Sequence, residues 1–153
     1  MNGKQLIIVH IEDDDDHAEL VSAAAAECSR SHRIIRFENA ESGLKYLEGY
    51  DWSKKSNDRL WPDLILLDMS LGGMSGNEFL RRLKAGDQTA GIPVVVLAAT
   101  EDDAAIRRAY RLGAASYIVK PSEFNEFVMK LAELNSYWSV TSEVPRCDKV
   151  VHG

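Results

Sequence analysis

The chain has 153 residues, 45% of them hydrophobic and 27% charged, which is an ordinary globular composition with enough length to bury the core of one domain. A formal charge of −6 leaves no basic footprint for nucleic acid. Cys28 and Cys147 are the only cysteines and give neither a disulfide framework nor a metal spacing, which suits a reducing compartment. No run approaches the roughly 18 apolar residues of a membrane span, and no basic segment leads into an apolar signal core. These features predict a cytoplasmic protein with no direct nucleic-acid or membrane contact.

Five short apolar runs, at 6–11, 33–37, 63–67, 92–98 and 116–119, read as buried parallel strands. Between them the apolar spacing is helical. The first helix carries Leu20, Ala24 and Cys28. The second carries Ala40, Leu44 and Leu47, and the third Gly76, Phe79, Leu80 and Leu83. The fourth carries Ile106, Ala109 and Tyr110, and the fifth Phe124, Phe127, Val128, Leu131 and Leu134. Gly86, Gly91, Gly113 and Pro121 punctuate the boundaries. Five alternations of strand and helix predict right-handed crossovers and a three-layer α/β/α doubly wound parallel sheet. The expected organisation is one domain over 1–136 and a C-terminal extension over 137–153, a polar tail broken by Pro145 that is a candidate dimer contact or a partly disordered segment. The connection at 48–62, with Trp52 and Trp61, is long for a helix-to-strand link and reads as a surface excursion.

Ligands of open parallel sheets bind outside the carboxyl ends of the strands, so the residues that follow each strand are the candidate site. Glu12 to Asp16 follow the first strand, Asp68 ends the third, Ala98, Ala99 and Thr100 the fourth, and Lys120 the fifth. Carboxylates gathered from two strands raise one another's pKa unless a cation lies among them. Magnesium suits such a site, because it takes a few carboxylates together with waters and phosphate oxygens. A lysine beside them can hold a phosphoryl oxygen. Taken singly, Asp14 to Asp16 read as a solvated helix start. His10 reads as a core or edge histidine, and His17, His32 and His152 carry no pattern.

The order and spacing of these residues resemble the receiver domains of two-component response regulators, over residues 6 to about 134. The matching pieces are Ile-Glu-Asp at 11–13, Asp-Leu-Ile-Leu-Leu-Asp-Met-Ser-Leu at 63–71 with Gly76, Ile-Pro-Val-Val-Val-Leu at 92–97, Leu-Gly-Ala at 112–114 and Tyr-Ile-Val-Lys-Pro at 117–121. The resemblance implies a flavodoxin-like (βα)5 sheet of order 2-1-3-4-5 and a phosphorylated Asp68. It implies magnesium on Glu12, Asp13, Asp68 and the Ser70 carbonyl, with Lys120 on the phosphoryl group. Tyr117 is similar to the aromatic residue whose rotamer reports phosphorylation, and reads equally as an ordinary edge-packed aromatic. The long 48–62 connection and the Tyr137-Trp138 ending resemble the stand-alone regulators of phytochrome kinases, so the implied partner is a sensor histidine kinase of that kind, with homodimerisation as a further expectation.

Two positions depart from the pattern. Where receivers place Ser or Thr five residues after the fourth-strand proline, this chain has Ala98; Thr100 is the nearest candidate substitute. Gly72 stands where the loop after the acceptor usually has proline, which loosens that loop. Ala98 supports a rival reading, a phosphorylation-independent binding or dimerisation module. A hydrolase built on an aspartyl-phosphate would want a second acid two residues after the nucleophile. That position is Ser70, so only slow self-dephosphorylation is expected.

Overall fold

The computed structural model describes residues 5–26, 32–49, 60–141 and 143. Strand β1 (Ile7–Ile11) leads into α1 (Asp15–Ala26), then β2 (Arg33–Phe37), α2 (Ala40–Glu48), β3 (Leu64–Asp68) and α3 (Gly76–Ala85). A short 3₁₀ turn (Thr89–Gly91) precedes β4 (Val94–Ala98), α4 (Asp103–Arg111), β5 (Ser116–Val119) and α5 (Phe124–Ser136). The five strands are all parallel, in the order β2-β1-β3-β4-β5. This is the predicted doubly wound sheet, with its order reversal between β1 and β3.

The strands are apolar on both faces because helices cover both. On one face Val9, Ile11, Ile65, Leu67, Val94 and Val96 meet Leu44, Leu47, Phe79, Leu80 and Leu83 of α2 and α3. On the other, Ile8, Leu64, Leu66, Val95 and Leu97 meet Val21, Phe127, Leu131, Leu134 and Trp138. Helix starts are capped by side-chain oxygens. Asn39 Oδ1 accepts from Ser42 N at 2.8 Å, Ser75 Oγ from Glu78 N at 3.1 Å, and Glu123 Oε1 from Glu126 N at 3.0 Å. Each cap satisfies an otherwise unpaired donor of the first turn.

Several details differ from the sequence expectations. The third strand begins at Leu64 and extends through Asp68, which pairs with Leu97 of β4; the Asp63 carboxylate accepts the Ile7 N–H at 2.9 Å. The 3₁₀ turn occupies the approach to β4. The α1 core face is Ala18, Val21, Ala24 and Ala25; Leu20 is half-buried, and Cys28 lies outside the described residues. Tyr110 and Phe124 are 48% and 64% exposed, so neither belongs to the core. Ala109 alone anchors α4 as a fully buried residue. Beyond Ser136 the helix continues as a π turn over Tyr137–Thr141. Trp138 packs into the core through it, so the start of the expected extension is continuous with α5. The tail at 144–153 and most of the 48–62 connection lie outside the described residues. At the connection's far end Tyr46 Oη donates to the Leu60 carbonyl at 2.6 Å, and Trp61 packs against the core. No described helix is long and apolar enough to cross a membrane.

Candidate phospho-acceptor site

Parallel strands deliver their last residues to one rim, and the ladder's end bonds fix where those residues sit. Glu12 N donates to Phe37 O at 2.9 Å, Met69 N to Leu97 O at 3.0 Å and Lys120 N to Ala98 O at 2.7 Å. These bonds set Glu12 and Lys120 immediately beyond β1 and β5, and Asp68 at the last position of β3. Glu12 is fully buried and Asp68 is 2% exposed. Carboxylate oxygens of Glu12, Asp13 and Asp68 all lie within 4.8 Å of one another. Lys120 Nζ stands 3.3 Å from Asp68 Oδ1 and 3.5 Å from Glu12 Oε1.

The electrostatics follow from that crowding. Burial pushes the Asp68 carboxyl above the usual carboxylate range, and its hydrogen bond with Glu12 pushes the same way; the Ser70 N–H and Lys120 act in opposition. The Ser70 N–H donates to Asp68 Oδ1 at 3.0 Å, which fixes that carboxylate's rotamer. Glu12 Oε1 is buried without a hydrogen-bond partner. A buried acceptor left unsatisfied next to two further carboxylates is the environment a hard divalent cation relieves, so the residues fit such an ion. Asp14 behaves as a helix start should. Its Oδ1 accepts from Asp16 N at 2.9 Å and His17 N at 3.1 Å, and the His17 N–H is the main cause of its lowered pKa.

The other predicted positions form a second group beside the first. Ala98 ends β4 at 2% exposure, inside the core cluster against which Tyr117 packs. Tyr117 is half-buried and its hydroxyl donates to the Thr100 carbonyl at 2.8 Å. The Thr100 hydroxyl accepts from Asp102 N at 3.1 Å. Burial first, and Asp102 second, raise the Tyr117 pKa. Thus Thr100 links β5 to the start of α4.

Two histidines belong to the site and were not singled out from the sequence. His10 is fully buried, with its Nε2 3.6 Å from Glu12 Oε1 and neither ring nitrogen hydrogen-bonded. Burial, then Lys120, pull its pKa down to about 3, so it is neutral. His17 Nδ1 lies 3.2 Å from Lys120 Nζ. His10 had a spacing signal, since residues two apart along a strand direction share a face, as His10 and Glu12 do; His17 had none.

A doubly wound sheet with an acidic trio and a lysine at the carboxyl ends of β1, β3 and β5 is the arrangement of a receiver-type α/β fold. Residues 8–132 match the family model described as the response regulator receiver domain, and the chain belongs to that family, a signalling rather than a conventional enzyme family. Among curated proteins it is 32% identical over 132 residues to the probable methanogenesis regulatory protein FilR2 of Methanothrix harundinacea, covering 86% of this chain and 83% of that one. It matches 36% of 100 residues in the phosphate regulon regulator PhoB of Escherichia coli, but spans only 44% of that protein's length. Among solved structures, the phosphorylated cyanobacterial phytochrome response regulator RcpA superposes with a TM-score of 0.83 at 26% identity, over 94% of this chain and all of that one. The Mn(2+)-bound form of response regulator Rcp1 gives a TM-score of 0.82 at 24% identity over 92% and 99%; Rcp1 is from Synechocystis. The resemblance to phytochrome-associated regulators is thereby borne out at the level of neighbours.

Proposed function

We propose that the chain works as a stand-alone response regulator that takes a phosphoryl group from a sensor histidine kinase onto Asp68 and acts on its target by protein contact. The carrying observation is the Asp68 carboxylate, buried at the end of β3 with Glu12 and Asp13 oxygens within 4.8 Å and the Lys120 ammonium at 3.3 Å. The similarity to RcpA, a phytochrome response regulator, supports a phytochrome-type kinase as donor.

In the transfer, an Asp68 oxygen attacks phosphorus in line. The new O–P bond forms as the P–N bond to the donor imidazole breaks, and the imidazole leaves with the electron pair. Glu12, Asp13, Asp68 and the Ser70 carbonyl would hold magnesium, which supplies positive charge against the oxygens of the transferring group. Lys120 donates to a phosphoryl oxygen as the charge moves onto Asp68. His10, fully buried, stands against Glu12 with its Nε2 3.6 Å from Oε1.

Intact mass after incubation with a small phosphodonor tests this reading. One phosphoryl group per chain is expected with magnesium and none without it, and Asp68→Asn should abolish the gain. Equal labelling of the Asp68→Asn protein would remove Asp68 from the role. One observation favours a second reading, a module that binds or dimerises without a phosphorylation switch: Ala98 offers the phosphoryl group no hydroxyl from β4. In that case phosphorylation would proceed with no change in partner affinity.

A further inference from the structure

We propose that His17 is a positioning residue for Lys120, an acceptor on α1 that keeps the ammonium over Asp68. The proposal rests on the phospho-acceptor reading above and adds to it a residue outside the acidic trio.

An ammonium has three protons and no acceptor. Lys120, 10% exposed, has three acceptors around it: His17 Nδ1 at 3.2 Å, Asp68 Oδ1 at 3.3 Å and Glu12 Oε1 at 3.5 Å. Since the ammonium only donates, Nδ1 carries the lone pair and the ring proton sits on Nε2. Of the three acceptors, the two carboxylates are also those that a divalent cation would draw on. His17 is not among them. When the carboxylates are engaged elsewhere, His17 still holds one N–H of Lys120, and the remaining N–H groups stay directed toward Asp68, where a phosphoryl oxygen would arrive.

The acceptor is itself held firmly. His17 stands in the first turn of α1, where its backbone N–H donates to Asp14 Oδ1 at 3.1 Å. Its ring meets Phe127 of α5 edge-on, with centroids 6.2 Å apart and planes at 82°. The imidazole is therefore carried by α1 and packed by α5, while Lys120 comes from the end of β5. A donor so placed loses less freedom on meeting a phosphoryl oxygen than a free lysine would. A packing role against Phe127 alone makes a different forecast: an apolar side chain of similar size would serve as well.

Two measurements separate these possibilities. Long-range ¹H–¹⁵N spectra of the metal-free protein should find His17 as the Nε2–H tautomer, and Lys120→Met should shift its Nδ1 resonance. An Nδ1–H tautomer, or a resonance indifferent to Lys120→Met, overturns the proposal whether or not Asp68 is ever phosphorylated. With acetyl phosphate and magnesium, His17→Leu should slow phosphorylation about tenfold, the scale of one hydrogen bond to a charged donor. His17→Asn, whose Oδ1 can stand in for Nδ1, should recover most of the rate. In a Lys120→Met background His17→Leu should add nothing. Full speed in His17→Leu, or an undiminished further loss in the double variant, refutes the linkage to Lys120. Failure of the native protein to label at all would sink the Asp68 reading, leaving the tautomer to decide the role of His17.

Discussion

Burial first, and Glu12 second, favour the neutral form of Asp68. A raised carboxylate pKa means that the folded protein binds more protons than the unfolded chain just above the ordinary value, so stability falls as pH rises through that window. Asp68→Asn should therefore stabilise the metal-free protein at neutral pH, by on the order of 1 kcal/mol, read as a higher melting temperature; a lower one would contradict the electrostatic account. Ala98 poses the complementary question of a missing group. A hydroxyl bonded to a charged oxygen is worth roughly 1.5–3 kcal/mol, and one made only in the active state would bias a switch by about ten- to a hundredfold. Ala98→Thr should strengthen any phosphorylation-dependent change at Tyr117, followed by its ring resonances or by sedimentation. The Tyr117 hydroxyl already reaches the Thr100 carbonyl, so the tether from β5 to α4 survives without a hydroxyl at 98. An Ala98→Thr protein that responds no more than a fully responsive native one would show that the tether suffices.

The elements themselves are held at their ends by side chains, and β1 shows how. Leu6 N donates to His32 Nδ1 at 2.9 Å and Ile7 N to Asp63 Oδ2 at 2.9 Å. Burial lowers the His32 pKa, with Asp63 opposing. A histidine depressed in the folded state leaves stability complete above its unfolded value of about 6.5 and loses it as pH falls toward the folded value; His10 acts in the same sense down to about 3. His32→Gln keeps an acceptor but does not titrate. It should flatten the loss of stability between pH 7 and pH 5, seen in urea melts, and identical slopes would remove His32 from the acid sensitivity. The sequence made the strands and the buried faces of α2 and α3 legible because period and burial agree there. It was less legible in α4 and α5, where Tyr110 and Phe124 keep the helical period yet face outward. Periodicity marks a stripe, and only packing decides how wide that stripe is. Gly113 was a clear stop: at φ 109° it adopts a conformation that side chains disfavour, and Lys84 occupies the space a Cβ would need.

For the molecule as a whole, fold and site are two consequences of one topology. Parallel strands whose order reverses between β1 and β3 bring Glu12 and Asp13 beside Asp68, though more than fifty residues separate them in the chain. That juxtaposition was readable because strand ends are marked by the change from apolar to charged residues. The contacts of His17 and His10 were not, because they depend on how α1 leans on α5 and on how deeply β1 is buried. The same topology gathers like charges that the fold must tolerate in the absence of a cation. Magnesium should therefore raise thermal stability by mass action, by about 2.7 kcal/mol at a hundredfold excess over its dissociation constant. Asp13 is the exposed member of the trio, so Asp13→Asn should remove most of that gain while barely disturbing the metal-free fold, whereas Glu12, fully buried against His10 and Lys120, could not be altered so cleanly. Melting curves of the native and Asp13→Asn proteins, with and without millimolar magnesium, make the comparison. A native protein whose curve does not move, or an Asp13→Asn protein that gains as much as the native one, would show that the acidic trio is not where the ion binds.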